Sequence, residues 1–218
     1  ADNNGSIDMA ATSDVKFQSS NDTITFATGK LELGNGADLE VTTGSGDISV
    51  YGVVGTSYET VLLTTSGDVT VGAGGIGTGT TVSDVDIDGA TITLQGSITT
   101  AGTGTDAGTT LAGDVDFDGN VKIDGAITID TDVSSTANDG KIDFGTNTIN
   151  AANTGSDTES LTLQSGSGVI TLGTIGVSQP LDALSINASD SAAAAITLKR
   201  IGSFAGTAGV VGTTTIGN

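Results

Sequence analysis

Apolar residues along this chain recur at every second position in runs of only a few residues, and each run stops at a cluster of Gly, Ser, Asn, Asp or Thr. Ile7-Asp8-Met9, Val15-Lys16-Phe17, Ile24-Thr25-Phe26 and Leu31-Glu32-Leu33 open the series. Period-two alternation bounded by polar breaks predicts short, half-buried strands. It continues through Leu39-Glu40-Val41, Asp47 to Tyr51, Val61 to Thr64 and the DVDID, TITL and SIT segments of residues 84–99. Residues 114–132 are the most regular stretch. The second half follows with Ile142-Asp143-Phe144, Thr148 to Asn150, Leu161 to Leu163, Val169 to Leu172, Leu184 to Ile186 and Ala195 to Leu198. Gly72 to Gly79 reads as a glycine-rich turn and residues 99–110 as a protruding loop. Only residues 190–199 offer a helical alternative, and Ile196-Thr197-Leu198 alternates as a strand, so almost no helix is expected. Pro180 reads as a corner, where its missing N–H costs no ladder bond.

One unit recurs. Residues 39–50 read LEVTTGSGDISV, residues 161–172 read LTLQSGSGVITL, and residues 62–71 give the shorter LLTTSGDVTV. Gly46-Asp47-Ile48 aligns with Gly67-Asp68-Val69 at an offset of 21 residues, and Gly44-Ser45-Gly46 with Gly166-Ser167-Gly168 at 122. Each copy is a strand, a small-residue corner and a second strand. Such a unit cannot bury its apolar face alone, and stacking identical units solves that problem.

Two all-β architectures compete for this pattern. An antiparallel sandwich needs tight hairpins, which Asp88-Gly89, Asp118-Gly119, Asp124-Gly125 and Asp139-Gly140 could supply, together with aromatics between its sheets. A solenoid needs very short strands, small corners and a repeat of this length. The matched copies and the scarcity of aromatics favour a right-handed parallel β-solenoid over residues 1–218 as a single domain. About 21 residues per rung gives eight to ten rungs and a rod of roughly 40–50 Å. The alternative is a β-sandwich subunit that polymerises by donor-strand exchange, with Ile7-Asp8-Met9 or Thr213 to Ile216 as donor.

Composition narrows the function more than the fold. The 218 residues include 34 Gly, one proline, no Cys, no His, no Trp and seven aromatics. Without Cys or His there is no thiol nucleophile, no histidine-based triad and no ordinary zinc site. Six basic residues stand against 26 acidic ones, a net charge of −20. Phosphate binding needs clustered Lys and Arg, so nucleic acid and anionic lipid are poor partners. No apolar run approaches the roughly 20 residues that span a bilayer, so membrane insertion is not expected. The chain begins at Ala1, which suits a processed or excised secreted product.

The acidic segments Asp84-Val85-Asp86-Ile87-Asp88-Gly89 and Asp114-Val115-Asp116-Phe117-Asp118-Gly119 carry the only candidate ligand chemistry. Both open like a calcium loop, but the twelfth positions hold Gln95 and Gly125 where a bidentate Glu is required. A better reading places Val85 and Ile87 inward and the carboxylates outward on neighbouring rungs. Stacked aspartates about 5 Å apart repel by roughly 1 kcal/mol in water. Ca²⁺ bridging through Asp84, Asp86, Asp88, Asp114, Asp116 and Asp118 would relieve that, and the competing reading is a solvated acidic face that resists aggregation. An Asp86–Asp116 pair could imitate the carboxylates of a polysaccharide-acting β-helix enzyme, but a face so short of basic and aromatic groups is poorly equipped for sugar. No enzyme activity is expected.

The run LTLQSGSGVITLGTIG (161–176), followed by Leu181-Asp182-Ala183-Leu184-Ser185-Ile186, resembles the repeats of filamentous-haemagglutinin-like giant bacterial surface proteins. Residues 123–150 look like the segment that often precedes it. The resemblance covers most of 39–77 and 114–217. It implies a right-handed parallel β-helix, export to the cell surface, and a role as fibre, stalk or adhesin with a surface or carbohydrate target. It carries no catalytic residue. With no helical or charged cap visible, Ile7-Asp8-Met9 and Thr214-Thr215-Ile216 look like ordinary rungs, so either the chain is part of a longer one or copies self-associate end to end.

Overall fold

The computed structural model describes residues 7–9, 13–34, 36–56, 59–100, 105–106, 109–110, 113–132, 139–153, 158–187, 195–203 and 209–217. The described residues contain no helix, and all strands but two join one 19-stranded sheet that coils upon itself. Every pairing in that sheet is parallel, which excludes the sandwich and its antiparallel hairpins. The fold is a parallel β-solenoid with three strand ladders per turn.

The ladders can be read residue by residue. The first stacks Ile7, Leu31, Val53, Ile76, Ile98, Ile129, Leu163, Ile186 and Ile216. The second stacks Val15, Leu39, Val61, Val85, Val115, Ile142, Ile170 and Ile196. The third stacks Ile24, Ile48, Val69, Ile92, Val121, Ile149, Ile175 and Ile201. Every position is Val, Ile or Leu, because a branched side chain with few rotamers packs squarely on its copies above and below. Seven full turns separate Val15 from Ile196. The turns are less uniform than the expected 21-residue repeat, running from 22 residues (Leu39 to Val61) to 30 (Val85 to Val115) along the second ladder. Corners between ladders absorb the extra residues and leave the strand register intact.

The repeated corner has a direct physical cause. A Cβ on Gly46 would lie 2.3 Å from the carbonyl carbon of Asp22, and one on Gly168 would lie 2.0 Å from the carbonyl oxygen of Gly140. The backbone of the preceding turn occupies the space a side chain would need. The residue that leads into each corner points inward and uses a hydroxyl to satisfy a buried carbonyl. Thr65 Oγ1 donates to Gly46 O at 2.6 Å, Ser165 Oγ to Gly168 O at 2.9 Å and Thr131 Oγ1 to Gly140 O at 2.7 Å.

Two local expectations change. Residues 72–79 are not all turn: the strand Val69–Ile76 runs through Gly72, Gly74 and Gly75 as it passes from the third ladder to the first. These glycines let it round the corner where Tyr51 and Ser97 lie within 3 Å of the missing Cβ atoms. Asp88-Gly89 and Asp118-Gly119 are not hairpins either. They sit inside Val85–Leu94 and Val115–Ile123, where the chain bends between the second and third ladders. The expected protruding loop lies largely outside the described residues, apart from an antiparallel pairing of Thr105–Asp106 with Thr109–Thr110.

Asx side chains lock one turn to the next, mostly in one direction; Asn187 reverses it, accepting Ser165 N of the preceding turn at 2.8 Å. Asp38, Asp47, Asp84, Asp114 and Asn120 each accept the backbone N–H of a residue one turn later (Thr60, Asp68, Asp114, Lys141 and Thr148) at 2.7–3.1 Å. The same direction holds for Asp139 with Ser167 N and Asn150 with Ser178 N.

Candidate functional site: an acidic face and two open ends

The two acidic segments occupy neighbouring turns in register: Asp86 pairs with Asp116 and Asp88 with Asp118. Asp143 extends the row one turn further, opposite Asp116. Sequence reading left Asp143 out, although Lys141-Ile142-Asp143-Phe144 repeats the alternation of Asp114-Val115-Asp116-Phe117. Asp86, Asp116, Asp118 and Asp143 line a shallow depression of about 310 Å³ together with Phe117 and Gly145. Lys141 Nζ stands 2.8 Å from Asp116 Oδ1, and that hydrogen-bonded pairing holds the lysine above its usual range.

The six aspartates divide into two roles. Asp84 and Asp114 are the amide clamps just described and are half-buried. Asp86, Asp88, Asp116 and Asp118 face outward from the sheet. Among the described residues, no group of three or more carboxylates is arranged to hold a metal ion.

Partial burial, then the charges of Asp116, Asp88 and Asp118, push the Asp86 carboxyl above its ordinary value. Burial does the same to Asp84, Asp88 and Asp130. The folded chain therefore holds these protons more tightly than the unfolded chain, so folding stability rises as pH falls from neutral through the raised values toward the unfolded pKa near 4. Among the described residues Asp86 has no hydrogen-bond partner, and the charge of Lys141 offsets only part of this. Asp86→Asn is expected to stabilise the fold by about 0.5–1 kcal/mol at pH 7 and low salt, and to flatten the rise in melting temperature between pH 7 and pH 5. Equal melting temperatures for the variant and the parent chain at pH 7 would show that the row carries no repulsion.

Not every acid is a solvated surface charge. Glu59 is 0% exposed at the corner before Val61–Thr64. Its carboxylate accepts Thr56 N at 2.5 Å and Gly36 N, from the preceding turn, at 3.1 Å. Glu59→Ala would remove the buried charged acceptor of these two amides and is expected to cost about 1–3 kcal/mol, read as a lower urea midpoint.

The second feature is the pair of ends. Along all three ladders the stacked residues between the first and last positions are at most 1% exposed. At the first turn Val15, Phe17, Ile24 and Phe26 are only half-buried, as are Ile196, Leu198 and Ile201 at the last. Ile7 is 44% and Ile216 51% exposed. Backbone polarity follows the same course. Val15, Leu39, Val61, Val85, Val115, Ile142 and Ile170 each donate an N–H to the next turn at 2.7–3.0 Å. Ile196 holds the eighth place, and the described residues supply no further turn beyond it. Each end is thus a cross-section of the apolar core framed by three strand edges, the geometry that templates further β-pairing.

No protein-family model matches this chain, and no curated protein or solved structure matches it either. What fold and site define is a class: a β-solenoid repeat protein with an acidic row on its outer face and end turns whose ladder residues are partly exposed.

Proposed function

We propose that this chain is a structural or adhesive rod of an extracellular fibre or cell-surface filament, joined to the next rod by end-to-end parallel β-stacking. The observation that carries this reading is the confinement of exposed ladder residues to the two end turns. A net charge of −20 opposes lateral clumping, while the partly exposed apolar end turns favour growth along the axis. The resemblance to filamentous-haemagglutinin-like repeats supports the same placement outside the cell, with a surface or carbohydrate target. The reading assigns the chain no catalytic step. Ca²⁺ belongs to it as a counter-ion for the row Asp86, Asp116 and Asp118, lowering the repulsion between turns.

Electron microscopy of the purified chain, with and without Ca²⁺, tests the reading. Filaments built from units of roughly 40 Å, at about 4.8 Å per turn, support it. Short dispersed rods at high concentration would overturn end-to-end joining. Ile216→Lys places a charge on an exposed edge, so it is expected to abolish filaments while leaving stability within about 0.5 kcal/mol of the parent.

A further inference from the structure

The first ladder carries nine strand positions and the other two carry eight each, so the described stack passes a whole number of turns by one face. This constrains how two copies can meet. At the far end the exposed edges climb in the order second, third and first ladder, through Ile196–Ile201 and then Thr214–Ile216. At the near end they climb first, second and third, through Ile7–Met9, Val15–Gln18 and Ile24–Phe26. Placing the first ladder of one copy on the first ladder of another seats Ile7–Met9 on Thr214–Ile216. The incoming Val15–Gln18 and Ile24–Phe26 then stand one turn too high, leaving a missing rung on two of three faces. Rotation by one face removes the mismatch. The first ladder then lands on the second, the second on the third and the third on the first, each one rung above its support.

We propose that copies of this chain join head to tail with a rotation of one face, about 120°, between neighbours, a heterologous contact that propagates as a filament. The proposal rests on the end-joining reading above and adds its register. Ile7-Asp8-Met9 matches Ile196-Thr197-Leu198 residue for residue, with two inward apolar side chains on two. A slip of two positions would expose one of each. Charge favours unlike ends. Residues 191–218 contain Lys199 and Arg200 and no acidic side chain, whereas Asp8, Asp14 and Asp22 are exposed on the first turn. Lys16, the basic residue among them, is already paired with Glu40 at 2.6 Å. Seating Val15 over Ile201 sets Asp14 above Arg200, and Asp8 lies one outward position from Lys199. Joining two like ends would oppose like charges and could not continue a parallel ladder.

The chain has no cysteine, so engineered pairs report the register cleanly. Facing residues on adjacent strands lie within the roughly 4.4–6.8 Å Cα separation that a disulfide spans. With the rotation, Asp8 of one copy faces Thr197 of the next; without it, Asp8 faces Thr215. Asp8→Cys with Thr197→Cys is expected to give a ladder of covalent multimers on mild oxidation, and Asp8→Cys with Thr215→Cys to remain monomeric on a denaturing gel. All three positions are exposed, and circular dichroism checks that both variants keep the strand signature. Multimers from the Thr215 pair, or filaments in which neither pair links, would overturn the rotated register while leaving end joining intact. Absence of filaments in the parent chain would overturn both. Helical reconstruction gives an independent reading: a rotation near 120° beyond the solenoid's own twist supports the register, and a rotation near zero contradicts it.

Discussion

Phe144→Ala is expected to lower the free energy of unfolding by about 3–5 kcal/mol, the largest single effect in the chain. Phe144 is 0% exposed and the bulkiest of the fully buried side chains. Its ring stacks on Phe117 from the preceding turn at a centroid separation of 4.6 Å and an interplanar angle of 16°. The other occupants of this inner file are Phe17 at the open first turn, Val41, Leu63, Ile87, Leu172 and Leu198, so the two rings are the widest plugs of its closed middle. Truncation leaves a cavity between turns that cannot collapse, because the hydrogen-bonded ladders on either side fix the spacing. Stacked rings add roughly 0.5–1.5 kcal/mol beyond their buried area. Urea titration followed by circular dichroism measures the loss as a lower midpoint. A contrasting control is Phe17→Ala: Phe17 lies at the open first turn, half-buried, in edge contact with Phe26 at 4.9 Å. Its loss is expected to cost about 1–2 kcal/mol, less than full burial would give. Equal losses at the two sites would contradict the picture of a closed middle and open ends.

Gly168→Ala is the second large effect, about 3 kcal/mol. The new methyl would sit 2.0 Å from Gly140 O and 2.7 Å from its carbonyl carbon. Both are backbone atoms of a carbonyl held by Thr131 Oγ1, while Ser165 Oγ holds the carbonyl of Gly168 itself, so no flexible side chain can move aside. Gly46→Ala, 122 residues earlier at the matching corner, meets the backbone of Asp22 at 2.3 Å and is expected to cost a similar amount. Gly36→Ala is the control for backbone conformation alone. Gly36 has φ +77° with nothing within 4 Å of its missing Cβ, so the cost there is the roughly 1–2 kcal/mol of a left-handed non-glycine residue. Thermal melts of the three variants separate close approach from conformational strain. A Gly168→Ala protein as stable as the parent would mean that the corners do not set the spacing between turns.

These effects also mark what the sequence made legible. Alternation of Val, Ile and Leu identified nearly every strand, because in a solenoid each strand has one face in the core and one outside. The TGSGD and SGSG corners stood out because their small residues answer a local steric demand. Stacking of the two aspartate segments was also readable, since identical segments tend to occupy equivalent positions on neighbouring turns. The turn length was not. Corners of different length change the residue count between stacked positions without disturbing the ladders, so an offset of 21 measured between one pair of copies could not hold throughout. Gly72 to Gly75 read as a turn because glycine is scarce in strands, while here it permits a strand to bend past Tyr51. The contact of Glu59 with Gly36 and the clamps at Asp84 and Asp114 left no sequence signal because the partners are backbone amides from other turns. The extra strand on the first ladder emerged only from the pairing, since it depends on which runs share a face.

Hydrogen–deuterium exchange on dilute and concentrated chain tests end joining most directly, because it asks which amides gain protection when copies meet. The account predicts slowed exchange on concentration for peptides covering 7–9, 15–18, 24–26, 196–201 and 214–216, and no change for the middle turns such as 85–94 and 115–123. Protection that appears instead along the acidic face, or no concentration dependence at the end turns of an assembled sample, would contradict it.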